Sequence, residues 1–277
     1  MLGPHIPRRL LSTSRPNYIL FERFIQPVIT ASKPKPHVTE QLVKPVGLEH
    51  PPTATTRYSR GNSFKDLFDQ RKTKERTEEL SLEMSKSGMY DMFTFRKTNG
   101  KLFLSPKSYW RKDKALYFPH IVGMPVQKGV ASGPIEDVMR GKISIVRIFS
   151  NRVADKLSRE YIRDMDKQLE GMSDGIQLVN INWMENAAKT LILKASLWSL
   201  RSSVEPKLQR TFFLCDRDQL PFTIREKLLI NNLYTSYILL VDPDLKIRWM
   251  ACGGASDEEY NLFWRCVRGL QREVTKG

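Results

Sequence analysis

Three cysteines and four histidines are the side chains in this 277-residue chain most readily turned to catalysis or metal binding, and their placement argues against both. Cys215, Cys252 and Cys266 stand singly, with no Cys-x-x-Cys pair, so no dithiol couple is written into the sequence. An odd number of thiols also argues against a disulfide scaffold, although a bridge between two of them stays open. Cys215 and Cys266 fall inside a strand pattern and a helix pattern, where a thiol is a small buried hydrophobe. Buried, inert thiols are the default for all three; Cys252 follows a strand and precedes Gly253 and Gly254, which leaves access to it open. His5, His37 and His50 lie in the first 50 residues and only His120 lies in the body of the chain, so neither a histidine zinc site nor a Ser–His–Asp triad is expected. His120, beside Pro119, reads as a surface or hydrogen-bonded histidine. Phosphate loops are missing too: Gly133 and Gly141-Lys142 have the wrong spacing, and Ile143 stands where Ser or Thr should hold magnesium. No catalytic, metal or cofactor-binding residue is assigned, and no cofactor is expected.

Binding is the remaining chemistry. In the predicted helix from about Glu185 to Arg201, Leu191, Ala195 and Trp198 fall on one side at 100° per residue, while Leu193, Leu197 and Leu200 fall on another. Thr190, Lys194 and Arg201 form the polar stripe between them. One apolar side can pack on a sheet, and the other either packs within the domain or meets a partner. Lys194, Leu197, Trp198 and Arg201 are therefore the candidate contacts for a hydrophobic client or a membrane surface.

The elements that would position these residues follow from periodicity. Ile143–Phe149 has the β-branched richness of a central strand, and a helix is expected from Asp155 to Leu169. Ile176–Asn182 is a second strand, Arg210–Cys215 a third, and Thr223–Asn231 a further helix. Strands alternating with helices imply parallel pairing through right-handed crossovers. Tyr237–Trp249 then reads as an antiparallel hairpin around Asp242-Pro243-Asp244, because proline fixes φ and the aspartates can bond nearby backbone N–H groups. Ser256 and Glu259 cap a last helix, Asp257–Glu273, whose Phe263, Val267 and Leu270 share one face.

Charge divides the chain further. Net charge is +15, and residues 1–62 carry nine Lys/Arg against three Asp/Glu, residues 63–114 thirteen against eight, and residues 115–277 twenty-three against nineteen. The longest segment is the most nearly neutral, unlike a folded domain built to bind nucleic acid. Residues 1–30 have Arg8, Arg9 and Arg15, hydroxyl residues, scattered apolar residues and no acid before Glu22, the composition of a mitochondrial transit peptide. Residues 31–62 form a Pro-rich linker expected to be disordered or extended. A charged, solvent-exposed helix is expected over Phe64–Ser85, followed by a basic connector with Tyr109, Trp110, Lys112 and Lys114. That connector is either a loop laid across the domain or a patch for acidic lipid, RNA or an acidic protein. No apolar run reaches the roughly 18 residues of a membrane-spanning helix.

The order strand, helix, strand, helix, hairpin, helix, entered through a Gly/Pro loop, resembles the thioredoxin and peroxiredoxin-like fold: an α/β mixed sheet flanked by helices, here with a disordered N-terminal tail and an exposed helix. Redox members carry thiols directly after the first central strand. This chain has Ser150-Asn151-Arg152-Val153 there, and Ser236 where those enzymes keep a cis proline, so the redox machinery looks absent. Ala115-Leu-Tyr-Phe-Pro119 with Gly123, Gly141–Ser150, the helix Leu191–Arg201 and Val241–Trp249 resemble the fungal mitochondrial F-type ATP synthase assembly factors known as ATPase-complex assembly protein ten. That resemblance implies a non-enzymatic chaperone on the matrix side of the inner membrane. It would bind newly made subunit 6 of the membrane sector and bring it to the subunit 9 ring, with no nucleic acid involved. The alternatives are a mitochondrial peroxiredoxin-like thiol protein using Cys252, and an RNA- or ribosome-associated protein using residues 63–114.

Overall fold

Two neighbouring strands, β6 (Ile143–Phe149) and β7 (Ile176–Met184), form the axis of the molecule, and their β-branched, fully or nearly buried sequences explain why. The computed structural model describes residues 37–56, 58, 89–172, 175–184, 197–216 and 219–276. The transit segment and the helix expected over Phe64–Ser85 lie outside the described residues.

In chain order the remaining strands are β1 (Glu40–Gln41), β2 (Phe103–Leu104), β3 (Leu116–Tyr117), β4 (Val122–Pro125), β5 (Gly133–Pro134), β8 (Phe212–Asp216), β9 (Tyr237–Val241) and β10 (Lys246–Cys252). The helices are α1 (Met89–Thr98), α2 (Glu136–Met139), α3 (Arg152–Arg159), α4 (Met165–Leu169), α5 (Leu197–Ser203), α6 (Phe222–Lys227) and α7 (Asp257–Lys276). Eight strands pair in the order β3-β10-β9-β6-β7-β8-β4-β5. The pairs β6–β7 and β7–β8 are parallel, and β6–β9, β9–β10 and β8–β4 are antiparallel. A central strand with a helical crossover on one side and a hairpin plus closing helix on the other is the thioredoxin-like arrangement. The parallel β8 and the antiparallel β4–β5 pair extend it at the β7 edge.

Both faces of the sheet are covered. Val146, Ile148, Val179, Ile181, Trp183, Leu239 and Val241 share a core with Phe118, Ile121, Ile135, Met139 and Leu228. On the opposite face, Ile145, Leu178, Ile238, Leu240 and Trp249 pack against Tyr161 and α7, where Phe263, Val267 and Leu270 are fully buried as their spacing predicts. Tyr161, Trp249, Phe263 and Trp264 meet as tilted and edge-on rings 5.3–6.2 Å apart.

Several boundaries differ from expectation for identifiable reasons. The helix expected over Asp155–Leu169 is α3, a 3-10 turn at Glu160–Ile162 and α4, because Asp164 leaves the helical region at φ −121°, ψ 36°. Helix α6 stops at Lys227 rather than Asn231: Leu229 turns to φ 55° and the Ile230 N–H bonds back to the Arg225 carbonyl. The hairpin is closed as anticipated. Asp242 Oδ1 accepts from the N–H groups of Asp244 (3.0 Å) and Lys246 (2.9 Å).

Of the Pro-rich stretch expected to be disordered or extended, residues 37–56 are extended and form a strap on the domain. β1 pairs with β2 in parallel, Leu48 pairs with Tyr117 beyond the β3 edge, and Val46 is buried. Trp110, in the basic connector, donates its indole N–H to the Val43 carbonyl (3.1 Å), and Arg140 donates to the Pro52 carbonyl (3.1 Å). Backbone groups that proline-rich composition leaves unpaired locally are thus satisfied by distant partners. The connector itself is a loop laid across the surface, with Lys112 paired to Asp244.

Candidate partner-binding surface

The expected contact helix divides its residues between inside and outside. Lys194 lies outside the described residues. Leu197 and Leu200 turn inward, packing on Val126, Met184 and Leu214. Arg201 donates its Nε–H to the Val126 carbonyl (2.7 Å), which ties α5 to the end of β4. Trp198 points outward with 81% of its surface exposed. Of the four candidates, three are described, and Trp198 alone among them presents its side chain to solvent. A bare indole on a helix otherwise anchored by Leu197, Leu200 and Arg201 is the composition of an interface anchor.

Ser150–Val153 occupy the start of α3, where redox relatives of the fold carry thiols. Ser150 Oγ donates to the Leu233 carbonyl, and Asn151 Nδ2 donates to the same oxygen at 3.0 Å. Asn151 Oδ1 meanwhile accepts from the Ala154 N–H (2.9 Å), the N-cap of α3. Both polar side chains are thus spent on joining α3 to the loop ahead of β9. Beside them lies an open pocket of about 240 Å³ lined by Phe95, Ser150, Asn151, Arg152, Val153, Leu233 and Tyr234. Sequence reasoning missed Phe95, Leu233 and Tyr234, because α1 reaches this site through tertiary contacts: Asn232 Nδ2 donates to the Asp91 carbonyl (2.8 Å), and the Phe95 and Tyr234 rings lie 6.4 Å apart.

All three thiols are free and buried. Cys252, the thiol whose sequence position leaves access open, is fully covered: its sulfur accepts from the Leu102 and Phe103 N–H groups at 3.2 and 3.4 Å under the strand β2. Burial pushes its pKa up to about 11 despite those hydrogen bonds and the nearby Lys101. Cys266 is also raised to about 11 and Cys215 well above its usual range, again chiefly by burial. His120 is buried rather than on the surface. Its ring bonds Glu136, and its backbone N–H donates to Tyr58 Oη (2.6 Å), whose phenol is pushed up to about 12 by burial.

A larger cleft of about 670 Å³ opens over β6, β7 and β8 between α4 and the turn after α5. At its floor, Arg147 is buried on the central strand. It donates to Asn180 Oδ1 (2.8 Å), Ser158 Oγ (2.8 Å) and Asp155 Oδ1 (2.5 Å). Desolvation lowers its pKa, opposed by Asp155. The network is closed within the protein and carries no free acid–base pair. Among the described residues no group of three or more His, Cys, Asp and Glu could hold a metal ion. No helix of the described residues is long and apolar enough to cross a membrane.

Solved structures of similar shape include a putative thiol:disulfide interchange protein DsbE from Chlorobium tepidum, at TM-score 0.38 and 9% identity over 57% of this chain and 96% of that one. A thiol peroxidase from Chromobacterium violaceum follows at TM-score 0.33 and 11% identity, covering 57% and 86%. Such loose superpositions add nothing to the strand order itself. Sequence relatives are much closer. The "Mitochondrial ATPase complex subunit ATP10" of Candida glabrata is 52% identical over 93% of this chain and 94% of its own length. The protein of the same name from Saccharomyces cerevisiae is 42% identical over 90% and 93%. With the family described as ATP10 protein matching residues 26–270, nearly the whole of the strap, sheet and closing helix, the chain belongs to that family.

Proposed function

We propose that this protein is a mitochondrial assembly factor for the ATPase complex and acts by binding, without catalysis. Membership of the ATP10 protein family over most of the chain carries the reading. The site at the start of α3 supports the non-enzymatic part, since Ser150 and Asn151 are committed to the Leu233 carbonyl and the three thiols are buried and protonated at neutral pH. The client is newly made subunit 6 of the membrane sector, which the protein holds on the matrix side of the inner membrane until subunit 6 docks on the subunit 9 ring. A membrane subunit lacking its ring exposes polar groups and interface side chains, so shielding them limits aggregation and degradation. Trp198 on α5 is one contact for that client or for the adjacent bilayer surface.

Depletion of the protein followed by native-gel separation of mitochondrial complexes tests the reading. The catalytic head is expected to persist while fully assembled synthase disappears and respiratory complexes are unaffected. Normal synthase, or a parallel loss of every mitochondrially translated complex, would refute it. Trp198→Glu is expected to leave thermal stability unchanged and to lower subunit 6 recovered with the protein; unchanged recovery removes Trp198 from the interface.

A further inference from the structure

We propose that the pocket at the start of α3 is the seat of an apolar side chain from a partner polypeptide, with an acidic residue next to that anchor. The proposal rests on the reading that the protein works by holding a polypeptide partner, and it names the surface and the chemistry it selects. At about 240 Å³ the pocket is smaller than the ~300–1,000 Å³ typical of small-molecule and cofactor sites, and it suits one bulky side chain. Phe95, Val153, Leu233 and Tyr234 give it apolar walls. Val153, at the first turn of α3, is 55% exposed, an uncovered valine in contact with the cavity. The two polar residues in the lining, Ser150 and Asn151, are tied to the Leu233 carbonyl, which fixes the wall between helix and loop. A rigid, preformed wall lowers the ordering cost of binding. Arg152 is the one charged residue in the lining, exposed, and no carboxylate lines the pocket. A partner with Asp or Glu beside its anchor is therefore favoured, and one with Lys or Arg there is disfavoured.

The test uses the full chain and a dye-labelled eight-residue peptide with a central Leu-Phe flanked by glutamates, read by fluorescence anisotropy. Two control peptides replace the glutamates with lysines or the Leu-Phe with Ser-Ser. The acidic apolar peptide is expected to bind at least about ten-fold more tightly than either control, with affinity falling as salt rises. Val153→Glu and Arg152→Glu are each expected to weaken it by about ten-fold, Val153→Ser by less, and Val274→Glu, on the outer surface of α7, not at all. Equal binding of the three peptides, or full affinity in Val153→Glu, overturns the proposal. So does loss of binding to phosphatidylcholine vesicles containing cardiolipin in Val153→Glu with no peptide binding by the native protein, which would make this a membrane contact. In cells, Val153→Glu is expected to lower assembled synthase. Normal synthase in that variant overturns the pocket's role and leaves the assembly reading standing, whereas normal synthase after complete depletion overturns the assembly reading.

Discussion

Three buried thiols and the buried Arg147 and Arg248 set the residue-scale expectations. Folding takes the Cys252 and Cys266 thiols from a pKa of 9.0 to about 11. An acid whose folded pKa is raised loses its proton more readily when unfolded, so stability falls as pH rises from about 9 towards 11 and is unaffected by these groups below that window. Iodoacetamide at pH 8 is expected to leave the native thiols unmodified and to label all three in urea; rapid native alkylation of Cys252 would show that the cover supplied by β2 opens readily. Arg248 is a different case. It is fully buried, with Nη1 3.1 Å from Asp242, Nη2 2.7 Å from Glu273 and Nε donating to the Trp110 carbonyl. Arg248→Ala strands the buried Asp242 carboxylate and is expected to cost about 3–5 kcal/mol in urea denaturation, more than an exposed charge deletion. A loss near zero would mean that Asp242 finds solvent. Such arginines were not legible in the sequence. Arg147 sits within an otherwise apolar strand pattern, and its partners Asp155, Ser158 and Asn180 come from two other elements.

At the scale of elements, legibility followed the range of the interactions. β6, β7, the hairpin and α7 stand out because β-branched runs, Asp242-Pro243-Asp244 and the Phe263/Val267/Leu270 spacing are local signals. The two-residue strands β1, β2, β3 and β5 have no such signal and exist because distant backbone groups pair with them. The docking of the strap was not legible for the same reason: Pro45, Pro51 and Pro52 argue against regular local structure but say nothing about an external template. Gly47 tests how the strap is held. Its φ is +134°, and an added Cβ would lie 2.8 Å from both the Leu116 Cβ and the Tyr117 carbonyl oxygen. Gly47→Ala is expected to weaken strap docking by about 1–3 kcal/mol, seen as faster proteolysis within 37–56 while the 115–276 core resists. The same change at Gly129, at φ +80° with open space around it, should leave the strap's cleavage rate unaltered.

For the whole molecule, most of the excess positive charge sits outside the most nearly neutral segment, 115–277. If attachment to anionic inner-membrane lipid is electrostatic, washing with about 0.5 M salt, where the screening length falls well below 10 Å, is expected to release the protein from membranes. Protein retained after the wash points instead to apolar anchoring through groups such as Trp198. The central strands, the hairpin and the family resemblance were legible from composition and motif order. The pocket at α3 was not, because it is assembled from α1, α3 and the loop before β9. One consequence of the strap concerns time. A chain made from its N-terminus delivers Gly47 and Leu48 first, yet Gly47 donates its N–H to the Lys227 carbonyl and Leu48 pairs with Tyr117, which itself leans on β10. The connector that clasps the strap, Trp110, is anchored to Arg248, 138 residues onward. The strap residues are therefore made well before the partners that hold them, and the β3 edge stays unpaired until those partners are in place. Premature pairing of that edge with another strand is the hazard that an escort covering nascent chains would remove.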